Sequence, residues 1–218
     1  MNLMGSVTIK NGCWLIANEN NYMAKLNLDY KSELKTWTIF FATILITVFI
    51  HELGHCIPAW INGYGSIPTP AKTYPSDNIP DSLGLFISAA GPICTVLIAL
   101  TVLFFYFKNR FKYDSAILAG ALVSPAMYTV RFILQGRGHD STEFQETQSV
   151  MGLSYSGHSL DWIFAVISLM GIIVWLIKSK PSYKIIGRLI IGFVLTFIFF
   201  VALQDINNAI FDPIFLHR

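Results

Sequence analysis

The chain has 218 residues, 54% of them hydrophobic and only 13% charged, with a formal net charge of +2 and a mean hydropathy of +0.55. A soluble globular domain carries about a quarter charged residues; here the charges are nearly absent from several stretches of about 20 residues, which is the pattern of bilayer-spanning helices. The basic residues sit in short loops rather than in one patch with interleaved aromatics, which argues against a nucleic-acid binder, and Cys13, Cys56 and Cys94 show neither a disulfide framework nor metal-ligand spacing.

Residues 1–35 lack an apolar core long enough for a cleavable signal peptide, and Lys25, Asp29, Lys31, Glu33 and Lys35 make their second half polar. They read as an N-terminal lead-in with short strands around Ser6–Ile9 and Cys13–Ala17. Five apolar segments follow, Trp37–Ile61, Leu83–Phe107, Ser115–Leu134, Leu160–Ile177 and Ile185–Leu203, the last continuing as helix toward Phe211. At about 1.5 Å per residue each can cross a hydrocarbon core of about 30 Å. Because backbone polar groups in lipid must pair within the segment, all five are expected as helices. The expected fold is therefore an all-α, polytopic helical bundle: one membrane domain over residues 36–211, followed by a tail at 212–218.

The connector from Asn62 to Ser82 differs from the other links. Gly63, Gly65, Pro68, Pro70, Pro75 and Pro80 prevent a continuous helix, so it is either an ordinary exposed loop or an extended flap able to pair with an unwound peptide strand. If the spans alternate, 11 of the 15 Lys and Arg residues fall on one side, together with the N-terminus. The positive-inside rule makes that side cytosolic. Trp14, Trp37, Trp60 and Trp162 fit interfacial anchors.

Chemistry concentrates in the first span, at His51-Glu52-Leu53-Gly54-His55. Positions i and i+4 share a helix face, so both imidazoles can bind one tetrahedral ion, while Glu52 can reach water activated by that ion and take its proton. The chance of this motif arising at random from so few His and Glu residues is roughly 1 in 400. Two histidines and a glutamate left unpaired in an apolar helix would each cost several kcal/mol, and a metal ion removes that difficulty. A zinc site needs a third protein ligand. Asp140 is the first candidate, just past the third span in Gly136-Arg137-Gly138-His139-Asp140; Glu143, His139 and His158 are the others. Asp140 also reads as a helix N-cap before Ser141-Thr142-Glu143. Cys56 is adjacent to His55 but points about 100° away on a helix, which favours packing over ligation.

A span with His-Glu-Leu-Gly-His, a following span with Ala89-Ala90-Gly91-Pro92 and an aspartate near a third span resemble the site-2 protease family of intramembrane zinc metallopeptidases. The resemblance covers residues 37–145, a three-helix core. It implies His51, His55 and Asp140 as ligands of one Zn²⁺ and Glu52 as general base, with transmembrane segments of other membrane proteins as substrates. The chain departs from the family pattern in two places: Thr95 stands where an asparagine is common, and Gly138-His139-Asp140-Ser141 replaces a Leu-Asp-Gly signature. The oxyanion donor is left among Arg131, Arg137, His139 and His158. Many members of that family open toward the cytosol, opposite to what the charge bias implies here, so the facing side is open. The rival readings are a membrane metal transporter, which would place further acidic or histidine residues deep in other spans, and an inactive scaffold, which would have lost Glu52 or a ligand.

Overall fold

A computed structural model describes residues 9–10, 13–14, 19–76, 78–108, 113–136, 159–179 and 183–215. Among them are two short antiparallel hairpins and six helices. In chain order these are β1 (Ile9–Lys10), β2 (Cys13–Trp14), α1 (Glu19–Ile61), β3 (Ser66–Pro68), β4 (Thr73–Pro75), α2 (Asp81–Phe107), α3 (Asp114–Gln135), α4 (Ser159–Ser179), α5 (Tyr183–Ile210) and α6 (Asp212–Phe215). The protein is all-α apart from the hairpins, and five of its helical stretches are long and apolar enough to cross a membrane: Tyr30–Ile61, Asp81–Phe107, Asp114–Gln135, Asp161–Lys178 and Ile190–Phe215. Even the 22-residue α3 rises about 33 Å, enough for the hydrocarbon layer.

The chain divides into two compact units, residues 1–38 and 39–218. In the first, β1 pairs with β2 through Ile9 opposite Trp14 and Lys10 opposite Cys13, and α1 starts at Glu19, well ahead of the apolar segment that opens at Trp37. Hydropathy marks where a helix becomes apolar, not where it begins, and Lys31, Glu33, Leu34 and Lys35 are all good helix formers. Thr36 and Thr38 return their hydroxyls to the carbonyls of Ser32 and Leu34, at 2.9 and 2.8 Å.

In the second unit the helix ends follow local chemistry. The chain leaves α1 through Gly63, whose φ of 81° needs a residue without a Cβ, and the Gly63 and Tyr64 amides return to the carbonyls of Trp60 and Ala59. Helix α2 begins after the extended Pro80 with Asp81 in its first turn, where a carboxylate complements the helix dipole. Helix α3 ends on the left-handed Gly136. Between α1 and α2, the connector forms the β3–β4 hairpin, with Ser66 opposite Pro75, Ile67 opposite Tyr74 and Pro68 opposite Thr73.

Helices α2, α3 and α4 pack on one another around Leu103, Tyr106 and Leu118, joined by Val102, Leu122, Val174 and Trp175. Helix α1 crosses α2 and α3 at small residues, as expected where lipid offers no hydrophobic drive and backbone proximity must supply the packing energy. A Cβ on Gly120 of α3 would lie 2.8 Å from the Phe40 carbonyl oxygen and 2.8 Å from Cβ of Thr43, both on α1. That neighbour is backbone and cannot step aside. Gly120→Ala is therefore expected to lose about 1–3 kcal/mol of stability, read as a lower thermal midpoint of the detergent-solubilised protein; an unchanged midpoint would contradict the α1–α3 crossing.

Candidate metal and proton-transfer site

The site is built where two four-residue repeats meet. On α1, His51 and His55 share a face. On α2, Ile87, Gly91 and Thr95 recur at the same interval and face them. The Nδ1 of His55 lies 2.6 Å from the Ile87 carbonyl oxygen, and Nδ1 of His51 lies 2.8 Å from Oγ1 of the buried Thr95. A carbonyl can only accept, so His55 carries its proton on Nδ1 and turns the lone pair of Nε2 inward. The two Nε2 atoms lie 3.1 Å apart. Gly91 makes the approach possible, since a Cβ there would come within 2.2 Å of His55 Nε2. Gly54, on the same α1 surface, sits against the Ala90 carbonyl oxygen at 2.8 Å from where its Cβ would be.

This donor set fits zinc. With Zn–N bonds near 2.1 Å and a tetrahedral angle, two ligating nitrogens stand roughly 3.4 Å apart, close to the spacing of the pair. Both outer nitrogens already have oxygen partners, the arrangement that orients metal-bound histidines. Thr95 suits either state of its neighbour. Its hydroxyl accepts from a protonated Nδ1 when both Nε2 lone pairs are needed for a metal. It donates to Nδ1 when the Nε2 proton of His51 is instead shared with His55.

Glu52 lies on the adjoining face of α1, and the hairpin covers that face. Thr73 of β4 places Oγ1 2.9 Å from Glu52 Oε2 and 3.0 Å from the Glu52 carbonyl oxygen. One turn later, the buried Cys56 accepts a hydrogen bond from Ser66 of β3 at 3.2 Å. Cys56 is thus turned toward the hairpin and serves packing. The hairpin is held at its far side by the last helices. The Tyr74 hydroxyl donates to the Asp212 carboxylate and accepts from Asn207 Nδ2 at 3.0 Å, Thr69 donates to Asn207 Oδ1 at 2.5 Å, and Lys72 stands 3.4 Å from Asp212. Burial, then the Asp212 contact, pushes the Tyr74 phenol up to about 12, so it stays a donor at all physiological pH.

His51, Glu52 and His55 open into a cavity of about 910 Å³, at the upper end of ligand-site volumes. Its walls come from the hairpin (Ala71, Lys72, Thr73, Pro75), α2 (Ile87, Ser88), α3 (Ser124, Met127, Tyr128, Arg131) and α5 (Phe200, Gln204, Asn208). The wall from α5 repeats every four residues and carries two amides, a contribution the low charge of that segment hides. Tyr128 faces His51 with ring centroids 6.2 Å apart and stacks on Phe164 at 4.7 Å. Arg131 lines the cavity while its Nε donates to Gln135 at 3.0 Å; of the four expected oxyanion donors it is the one that falls among the described residues. Asp140, Glu143, His139, His158 and Arg137 lie outside the described residues. Among the described residues no third His, Cys, Asp or Glu completes a metal-binding group with the histidine pair.

Comparison of the chain with models of protein families, with curated proteins and with solved structures finds no match.

If the histidine pair holds zinc and Thr95 sets the orientation of His51, Thr95→Val should weaken zinc binding about 10- to 100-fold, with the helical content unchanged. Competition against a chromogenic chelator measures this; wild-type affinity in the valine variant would contradict the role.

Proposed function

We propose that the chain is an integral, multi-pass membrane zinc peptidase that hydrolyses peptide bonds in or near transmembrane segments of other membrane proteins. The observation that carries the reading is the convergence of two imidazole Nε2 atoms 3.1 Å apart, each ring anchored through its other nitrogen, beside a glutamate in a shared cavity. The five apolar helices support the location. In this reading His51 and His55 hold one Zn²⁺ together with Asp140, Glu143 being the alternative third ligand.

Zinc, when bound, supplies Lewis acidity, bringing the pKa of water from its bulk value to about 7 and polarising a carbonyl. The protein's own residues supply the rest. Glu52 takes the proton of the attacking water and delivers it to the leaving amine. Tyr128 and Met127 give the cavity apolar wall, while Ser88, Ser124, Gln204 and Asn208 offer hydrogen bonds to a peptide that has lost its own. The last point matters because a helical substrate hides each carbonyl in an i→i−4 bond and must unwind before attack. Target helices containing Gly or Pro unwind most readily. Arg131, which lines the cavity, would donate to the developing oxyanion.

The test is peptidase activity of the full-length chain in liposomes toward a synthetic transmembrane helix interrupted by Gly-Pro. Glu52→Gln is expected to lower kcat by about 10²- to 10⁴-fold while the protein keeps its zinc. A variant that turns over like the wild type would refute the assignment.

A further inference from the structure

We propose that Thr73 is a positioning residue for Glu52, an inference that rests on the peptidase reading above. A glutamate beside a zinc-binding histidine sits about 100° around the helix from it, and its three rotatable bonds give it no fixed direction of its own. The Thr73 hydroxyl lies within hydrogen-bond distance of both the Glu52 carboxylate, at 2.9 Å, and the Glu52 main-chain carbonyl, at 3.0 Å. It has a single hydrogen to give, and an ionised carboxylate is the stronger acceptor. The contact therefore ties the side chain back toward its own backbone and fixes the direction in which the second carboxylate oxygen points.

The tether is worth having only if Thr73 is itself held, and the hairpin is held on both strands. Ser66 is bonded to Cys56, on the same α1 face as Glu52. Tyr74, next to Thr73, is buried and locked to Asp212 and Asn207 at the end of the last span, and Lys72 on its other side pairs with Asp212. The proton acceptor thus takes its orientation from a strand anchored 138 residues away in the chain. The cavity wall beyond Thr73 is formed by Pro75 and Lys72 of the same hairpin, so the strand that aims Glu52 also borders the space a peptide would occupy.

Thr73→Val keeps the shape and β-branching that a strand position favours and removes only the hydroxyl. In zinc-loaded full-length protein acting on the Gly-Pro transmembrane peptide, it is expected to lower kcat about 10- to 100-fold with KM nearly unchanged, as for a displaced catalytic group. Thr73→Ser, which restores the hydroxyl, is expected to recover most of that loss. Replacement of zinc by cobalt should give the same visible absorption spectrum in wild type and Thr73→Val, because the ligands are untouched. Wild-type kcat in Thr73→Val, a loss that Thr73→Ser does not repair, or an altered cobalt spectrum would each overturn the positioning role while leaving the peptidase reading in place. A wild-type protein that neither binds the metal nor cleaves the peptide would overturn both.

Discussion

An imidazole buried in a membrane-spanning helix must satisfy two nitrogens, and the rest of this structure is arranged around how His51 and His55 do so. Each turns Nδ1 to an oxygen on α2, Thr95 for one and the Ile87 carbonyl for the other. Both Nε2 atoms are thereby driven toward a common point. The arrangement needs a partner helix whose oxygens recur at the same four-residue interval as the histidines, and it needs that helix close. Gly54 and Gly91 meet the second condition: a Cβ at Gly54 would run into the α2 backbone, and one at Gly91 would strike the His55 ring itself.

The same crossing leaves the neighbouring face of α1 to the β3–β4 hairpin, so the two halves of the site have different supports. The histidine half rests on a helix–helix contact between α1 and α2. The glutamate half rests on Thr73, and through Tyr74, Asn207 and Asp212 on the C-terminal helices. Were the site hydrolytic, as proposed, it would need a wet, polar space that a peptide can enter. The cavity answers with hydroxyls of Ser88 and Ser124 and the amides of Gln204 and Asn208 set among Val48, Ile87, Met127 and Phe200. Buried Asn207 bonds the hairpin through both its oxygen and its nitrogen, whereas Asn208, one position on, lines the cavity. The last helix thus splits its polar residues between holding the hairpin and walling the site.

Much of the frame was legible from the residues alone. Apolar length locates all five spanning helices, because a bilayer imposes one length scale on every segment, and the i, i+4 rule puts His51 and His55 on one face. What could not be read are the partners supplied by other elements. Thr95 stands out in the sequence only as a departure from an expected asparagine; its bond to His51 joins residues 44 apart and leaves no periodic trace. Thr73 sits in a Pro-rich connector whose composition rules out a helix without indicating a hairpin or what it touches. The α5 wall was invisible because amides carry no charge to stand out against the apolar run. The early start of α1 at Glu19 leaves no mark in the hydropathy, because a polar lead-in of good helix formers has no apolar edge. Asp140, the expected third ligand, and its alternatives lie outside the described residues.

The central claim is that two imidazoles on one helix turn hold a single zinc ion with oxygen, not sulfur, completing its shell. Zinc K-edge X-ray absorption on the purified full-length protein tests this directly. The account expects one zinc per chain, two imidazole nitrogens at about 2.0–2.1 Å and only oxygen donors besides. A spectrum showing a sulfur near 2.3 Å, as Cys56 would give, or a purified chain that retains no zinc under metal-replete conditions, would contradict it.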